Sequence, residues 1–209
     1  MEIARIQSAD DPRFDMLLRI YAEALPASER KSADALRRMI ARPEYFFLAA
    51  IEEAALVGFS IAIAFVDSDA ALLEYLAVDA KRRGKGLGEM LFRATAGRSE
   101  LRGRFLLCEV ESEAANETDA AIRARRKNFY RRLGAKQIEG LSYIMPPVSS
   151  ALPPAMDMLA IRNEMPGSIE KSHVRAWLNA CYRQVYDVSE DDVRIDAMLG
   201  GLQEIIRLI

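Results

Sequence analysis

The stretch that most constrains this chain runs Leu72-Leu73-Glu74-Tyr75-Leu76-Ala77-Val78, then Asp79-Ala80-Lys81-Arg82-Arg83-Gly84-Lys85-Gly86-Leu87-Gly88, then Glu89-Met90-Leu91-Phe92-Arg93-Ala94-Thr95. Its first part is short, apolar and bounded by turn residues, which predicts a buried strand, while Leu87, Met90, Leu91 and Ala94 recur at helical spacing. Between them lies a basic loop with glycine at alternate positions. Glycine admits backbone angles that turn consecutive N–H groups toward one point, and a helix start adds unpaired donors and the positive end of a dipole. Strand, loop and helix together predict a cradle for phosphate oxygens.

Spacing narrows the phosphate ligand. A Walker loop needs Lys-Ser or Lys-Thr after its last glycine, whereas Gly88 is followed by Glu89-Met90. A dinucleotide fingerprint needs G-x-G-x-x-G, but the run is Gly84-x-Gly86-x-Gly88 and no second strand-helix-strand half follows. What remains is Arg83-x-x-Gly86-x-Gly88 behind Leu76-Ala77-Val78, which closely resembles the acetyl-coenzyme A loop of the GCN5-related N-acetyltransferases (GNAT). Further along, Asn128-Phe129-Tyr130-Arg131-Arg132-Leu133-Gly134-Ala135 resembles the F-Y-x-x-x-G signature that closes the coenzyme site in the same family. The two motifs in this order are stronger than either alone.

Length and composition fit one such domain. At 209 residues, 51% hydrophobic and a net charge of −2, the chain can bury a substantial core and lacks the positive surplus of a nucleic-acid binder. Cys108 and Cys181 are too few and too far apart for a disulfide scaffold, so a reduced, cytoplasmic setting is expected. With His173 as the single histidine, histidine triads and multi-histidine metal sites are disfavoured and no metal is expected. No apolar run reaches the roughly 18 residues a membrane span requires, and the N-terminus lacks a signal-peptide core.

Taken in order, the chain predicts a strand at Glu2–Ile6, a helix from about Pro12 to Ala24, a second helix opening at Ser32 and ending near Pro43, and a hairpin from Tyr45–Ile51 and Leu56–Phe65. Beyond the glycine-loop helix, Arg104–Glu111 reads as a strand parallel to the central one, and Glu117–Leu133 as a helix stopped by Gly134. The resemblance covers Ile3 to Met145, with a strand near Ala155–Ile161 as last sheet member. After Pro153-Pro154, Ser168-Ile169-Glu170-Lys171 looks like a capped helix start, and Ser189 like the N-cap of one more helix. The expected fold class is α/β: a GNAT-like central mixed, splayed sheet flanked by helices. Residues 1–162 form the acetyltransferase domain, and residues 163–209 a C-terminal helical extension packed on it. Core padding, covering an acceptor site and homodimerisation are the uses open to that extension.

The resemblance implies acetyl transfer from acetyl-coenzyme A, as substrate, to a primary amine by direct attack. Backbone N–H groups of Leu76, Ala77 and Val78 would hold the pantetheine arm and thioester carbonyl, and Arg83, Gly84, Lys85, Gly86, Leu87 and Gly88 the pyrophosphate. Two basic clusters, Lys81–Arg83 and Arg123–Arg132, can converge on the coenzyme phosphates or be solvated helix faces. Glu74, four residues before Val78, matches the strand glutamate that serves the family as general base. Its apolar neighbours Leu72, Leu73, Tyr75 and Leu76 should desolvate it toward a useful basicity. Glu109, with Glu111 on the same strand face, can take the same role or bind a cationic acceptor; pairing with local arginines is the plainer reading of Glu111. Tyr130 is placed to protonate the leaving thiolate.

The chain departs from the family where Arg123 and Arg126 replace the usual Asn and Ala ahead of the Phe-Tyr pair. The amide contact to the coenzyme arm then falls to Asn128 or Asn116. Cys108 could carry the acetyl group itself, but its alternation with Glu109 points it to the core. Family position also makes Pro26–Arg30 candidates for acceptor specificity. The acceptor is a small-molecule or peptide amine, with no nucleic acid and no membrane. Two rival functions stay open: a coenzyme-binding sensor or interaction module without catalysis, and an acyltransferase with a longer donor.

Overall fold

The computed structural model describes residues 1–113, 119–150, 152–189 and 191–209. Among the described residues, seven strands form the main sheet, in the order β1 (Glu2–Ile6), β2 (Tyr45–Glu52), β3 (Ala55–Ala64), β4 (Ala70–Val78), β5 (Phe105–Glu111), β7 (Met156–Ile161) and β6 (Lys136–Gln137), and two more, β8 (Ser168–Glu170) and β9 (Ile205–Arg207), pair apart from it. The chain clusters into two compact units. One comprises residues 1–64, 73–102 and 147–152; the other comprises residues 65–72, 103–146 and 153–209.

The first unit contains β1 (Glu2–Ile6), β2 (Tyr45–Glu52), β3 (Ala55–Ala64) and the greater part of β4 (Ala70–Val78). β1 and β2 are antiparallel from Glu2 opposite Ile51 to Ile6 opposite Phe47, and β2 and β3 are antiparallel from Tyr45 opposite Ile63 to Glu52 opposite Ala55. The hairpin turns on Glu53 (φ 50°) and Ala54 (φ 64°), the pair of positive angles a tight two-residue turn demands. Helix α1 (Pro12–Ala24) starts where the Asp11 carboxylate accepts from the Arg13 N–H, with proline in the first turn, and it buries Phe14, Leu17, Ile20 and Tyr21. Helix α2 (Ala33–Ile40) is capped by Ser32, whose hydroxyl accepts from the Ala35 N–H. Phe14 and Tyr21 meet Phe47 and Phe59 on the sheet at ring separations of 6.3 and 6.2 Å. Helix α3 (Leu87–Ala96) buries Leu87 and Leu91 against Leu48, Ala50 and Val57. Each such side chain contributes about 1.5–3 kcal/mol by leaving water.

The second unit starts with the turn and first residues of β4, and continues with β5 (Phe105–Glu111), α4 (Ala120–Arg132), the short β6 (Lys136–Gln137) and β7 (Met156–Ile161). The Phe105 N–H donates to the Asp69 carbonyl (2.8 Å), so β4 and β5 begin at the same end, as the expected parallel pair requires. β7 is antiparallel to both β5 and β6, which makes β6 and not β7 the outermost strand. Two residues give no periodicity to read, so β6 leaves no trace in the sequence.

The tail also differs from its sequence reading. Ser168–Glu170 is strand β8, antiparallel to β9 (Ile205–Arg207), and helix α5 (Lys171–Tyr186) begins only after it. Helix α6 (Val193–Leu199) is capped by Asp192, not Ser189; the Ser189 hydroxyl instead accepts from the Asp191 N–H. The start of α4 expected at Glu117, and Asn116, lie outside the described residues. Trp177, fully buried on α5, donates to Asp69 at 2.7 Å and packs tilted against Phe105 with ring centroids 4.7 Å apart, fixing α5 to the starts of β4 and β5.

Candidate active site

In the first unit, the end of β4 is tied to β3 by the Asp79 N–H donating to the Val57 carbonyl at 2.9 Å. Gly58 permits this closeness: a Cβ there would stand 2.9 Å from the Ala77 carbonyl and 3.1 Å from a Leu91 methyl. Asp79 then accepts from the Lys81 N–H (2.8 Å) and opens a single helical turn, Ala80–Arg82. Gly84 (φ 83°) and Gly86 (φ 76°) follow in left-handed conformations with open space where a Cβ would point. Gly86 is the N-cap of α3, whose first bond runs from the Met90 N–H to the Gly86 carbonyl. The N–H groups of Leu87, Gly88 and Glu89 thus precede the helical ladder, the arrangement that receives an anion.

The loop's cations are divided. Arg82 pairs with Glu52 at 2.8 Å, and Arg83 donates through Nε to the Val78 carbonyl at 3.2 Å, whereas Lys81 and Lys85 are exposed. Leu76, Ala77 and Val78 form the last residues of β4, leading directly into this loop.

Glu74 lies on the same strand, its side chain 3% exposed. It is not a carboxylate among hydrocarbons alone. Lys31, from the α1–α2 connection, places Nζ 2.5 Å from Oε1, and the Tyr45 hydroxyl donates to Oε2 at 3.1 Å. Lys31 is itself fixed by its backbone N–H, which donates to the Tyr21 hydroxyl at 2.8 Å. Burial pushes that phenol up to about 12, so Tyr21 keeps its proton. Tyr75, the next residue on β4, donates to the Glu29 carbonyl at 3.2 Å. The segment around Glu29 is thereby held against β4.

Three other residues singled out from the sequence, Glu109, Asn128 and Tyr130, belong to the second unit. Tyr130 sits in the last turn of α4, 9% exposed, and burial first, then the Cys108 thiol, pushes its phenol well above the ordinary range. A phenol held so firmly protonated is a donor. Asn128 is exposed on the same helix. Glu109 on β5 accepts from Tyr143 at 2.5 Å and Cys181 at 3.5 Å through Oε1, and from Tyr186 at 2.6 Å through Oε2. Burial raises the Tyr143 phenol well above its usual value. Cys108 is 1% exposed, and burial raises its thiol beyond the range in which a thiolate nucleophile forms, in keeping with its expected core position.

The basic run on α4 is not a uniform solvated face. Arg123 and Lys127 are buried, and they reach Glu111 at 3.8 Å and Asp157 at 2.7 Å respectively. Glu111 takes the local pairing expected of it.

Residues 42–134 match the family model described as an acetyltransferase (GNAT) domain. This stretch is similar to a GNAT domain. It runs from the turn before β2 to the glycine closing α4, so it includes Glu74, the glycine loop and Tyr130. A solved structure assigned to the GNAT acetyltransferases, from Bacteroides thetaiotaomicron, has a TM-score of 0.72 at 20% identity, covering 90% of this chain and 100% of its own. The aminoglycoside 6'-N-acetyltransferase from Enterococcus faecium gives 0.56 at 22%, covering 79% and 98%. The ribosomal-protein-S18-alanine N-acetyltransferase from Escherichia coli gives 0.56 at 20%, covering 79% and 96%. These likenesses establish the shared fold. No curated protein matches the chain by sequence.

Sequence reasoning missed Lys31, Tyr45 and Gly58 as parts of the site. Only Gly58 carried a signal, being a glycine inside a strand, which marks a close backbone approach.

Proposed function

We propose that this chain transfers an acetyl group from acetyl-coenzyme A to a primary amine by direct attack. One observation carries the reading: within a stretch that matches the GNAT domain model, the strand bearing Glu74 leads through one helical turn to two left-handed glycines before α3. The loop's N–H groups and the α3 dipole suit the coenzyme pyrophosphate, and the end of β4 suits the thioester arm. A solved aminoglycoside 6'-acetyltransferase of this fold, at 21% identity, is in complex with coenzyme A. Glu74 takes the proton from the attacking ammonium, and its pairing with Lys31 indicates that the pocket accepts a cation. Tyr130 takes the role of acid toward the leaving thiolate on its place in the Phe-Tyr motif. Amine acceptors as different as an aminoglycoside and a ribosomal protein are named for neighbours of this fold, and both classes belong in a screen.

Two measurements test the reading. Coenzyme release is followed across an amine library, and acetyl-coenzyme A binding is followed by calorimetry. Gly86→Glu abolishes binding, because it puts a bulky anion where φ is 76° and the cradle must admit phosphate. Tyr130→Phe lowers turnover by about a hundredfold with affinity unchanged. Retained binding in the first variant removes the loop assignment, and an unchanged rate in the second removes the acid.

A further inference from the structure

The ammonium on Glu74 comes from the chain itself. Lys31 Nζ is 2.5 Å from Oε1, with the Lys31 side chain 12% exposed and the Glu74 side chain 3% exposed. A surface ion pair would matter little, but this one is built from both ends: the Tyr21 hydroxyl receives the Lys31 backbone N–H, and the Tyr45 hydroxyl orients the carboxylate. Lys31 lies outside the helices that flank it, in the stretch between Glu29 and the Ser32 cap, so its amine is aimed by these contacts and not by a helix face. Glu74 stands two residues before Leu76. At about 3.3 Å per residue, that places the carboxylate about 7 Å along β4 from where the thioester arm is proposed to lie. A lysine side chain pivoting on its own stem spans that distance.

We infer that Lys31 is an intramolecular acceptor, so that the enzyme acetylates its own Lys31. This rests on the acetyltransferase reading above and adds a modification site to it. In the step, Glu74 removes one proton from the Lys31 ammonium. The free amine attacks the thioester carbonyl, the new C–N bond forms as the C–S bond breaks, the proton shed by the new amide nitrogen is taken up by the departing coenzyme A thiolate, and Glu74 returns its proton to water. No further reactant is needed. The product is a neutral amide, which ends the ion pair and leaves Oε1 of Glu74 open to an incoming cationic amine. The unmodified enzyme thus holds an internal ammonium where an external one must bind.

The test incubates purified protein with radiolabelled acetyl-coenzyme A and no added amine, then maps the label by peptide mass spectrometry. Lys31 is labelled about a hundredfold or more faster than the exposed Lys81 and Lys85, at a rate independent of protein concentration, as an oriented amine beside a base requires. Glu74→Gln reduces Lys31 labelling about a hundredfold and leaves Lys81 and Lys85 unchanged. Lys31→Arg removes that label while keeping a cation at the site. If added amines release coenzyme A but Lys31 gains label no faster than the exposed lysines, self-acetylation is overturned and the enzyme reading stands. A rate that rises with protein concentration overturns the intramolecular route. If the coenzyme binds and neither Lys31 nor any amine is acetylated, both readings fall.

Discussion

Glu74 and Glu109 are each set on a strand of the main sheet, flanked by buried apolar neighbours, and differ in what they are bonded to. Glu74 faces an ammonium on a flexible four-carbon stem and one phenol. Glu109 faces two phenols and a thiol, two of the three carried by the sixteen-residue helix α5. An ammonium can be exchanged for another ammonium at little cost, because a substrate amine offers the same charge and the same donors. A phenol packed into a helix face cannot leave without opening that helix. Under the proposed function, the difference separates a carboxylate that exchanges partners from one that keeps them.

The largest effect expected from this contrast is on turnover. Glu74→Gln keeps size and hydrogen bonding but cannot take a proton, so kcat/KM falls by about 10²–10⁴ while calorimetric affinity for acetyl-coenzyme A is unchanged. If Glu109→Gln gives a loss as large and Glu74→Gln does not, the two roles are reversed.

Stability shows the converse. Glu109→Gln replaces charge-assisted bonds to Tyr143 and Tyr186 by neutral ones, and burial holds the Tyr143 phenol protonated. The expected loss is about 2–3 kcal/mol, read as a fall in Tm of about 5 °C or more, since each kcal/mol shifts a chain of this size by about 2–4 °C. Coenzyme affinity stays within about twofold. A variant as stable as the parent but with weakened coenzyme binding would move Glu109 out of the anchoring role.

How much of this contrast was legible in the sequence follows from the range of each interaction. Glycine at 84 and 86 is a local requirement of positive φ, and the helix starts at Pro12 and Ser32 are local caps, so all were readable. Glu74 was readable through its distance to the loop. Its partners were not: Lys31 is 43 residues away and Tyr45 is 29, and neither has a pattern that announces a carboxylate. The partners of Glu109 lie 34, 72 and 77 residues off, too far along the chain for any local pattern to join them. β8 failed for a related reason. Ser168-Ile169-Glu170 has helix-start chemistry, and only its pairing with Ile205–Arg207 makes it a strand. The buried pairs of Arg123 and Lys127 show the same limit, since charge runs do not reveal which cations face inward.

The smallest effects give the sharpest form of the comparison, because they remove one hydroxyl from each carboxylate and leave the ring. Tyr45→Phe deletes the bond to Glu74 Oε2 while Lys31 remains on Oε1, so the proposed base keeps its ion pair and loses one orienting bond. Tyr186→Phe deletes the bond to Glu109 Oε2 while Tyr143 remains on Oε1. Each removes one hydrogen bond to a charged acceptor, about 1.5 kcal/mol at the low end of such bonds. The locus separates them: Tyr45→Phe lowers kcat about tenfold, with KM for the coenzyme unchanged, whereas Tyr186→Phe lowers Tm by about 3–6 °C with kcat unchanged. If both phenylalanine variants shift Tm alike and leave kcat alone, Tyr45 is packing and the orientation of Glu74 comes from Lys31. If both lower kcat, the Tyr186 bond bears on turnover as the Tyr45 bond does, and the division of roles between Glu74 and Glu109 fails.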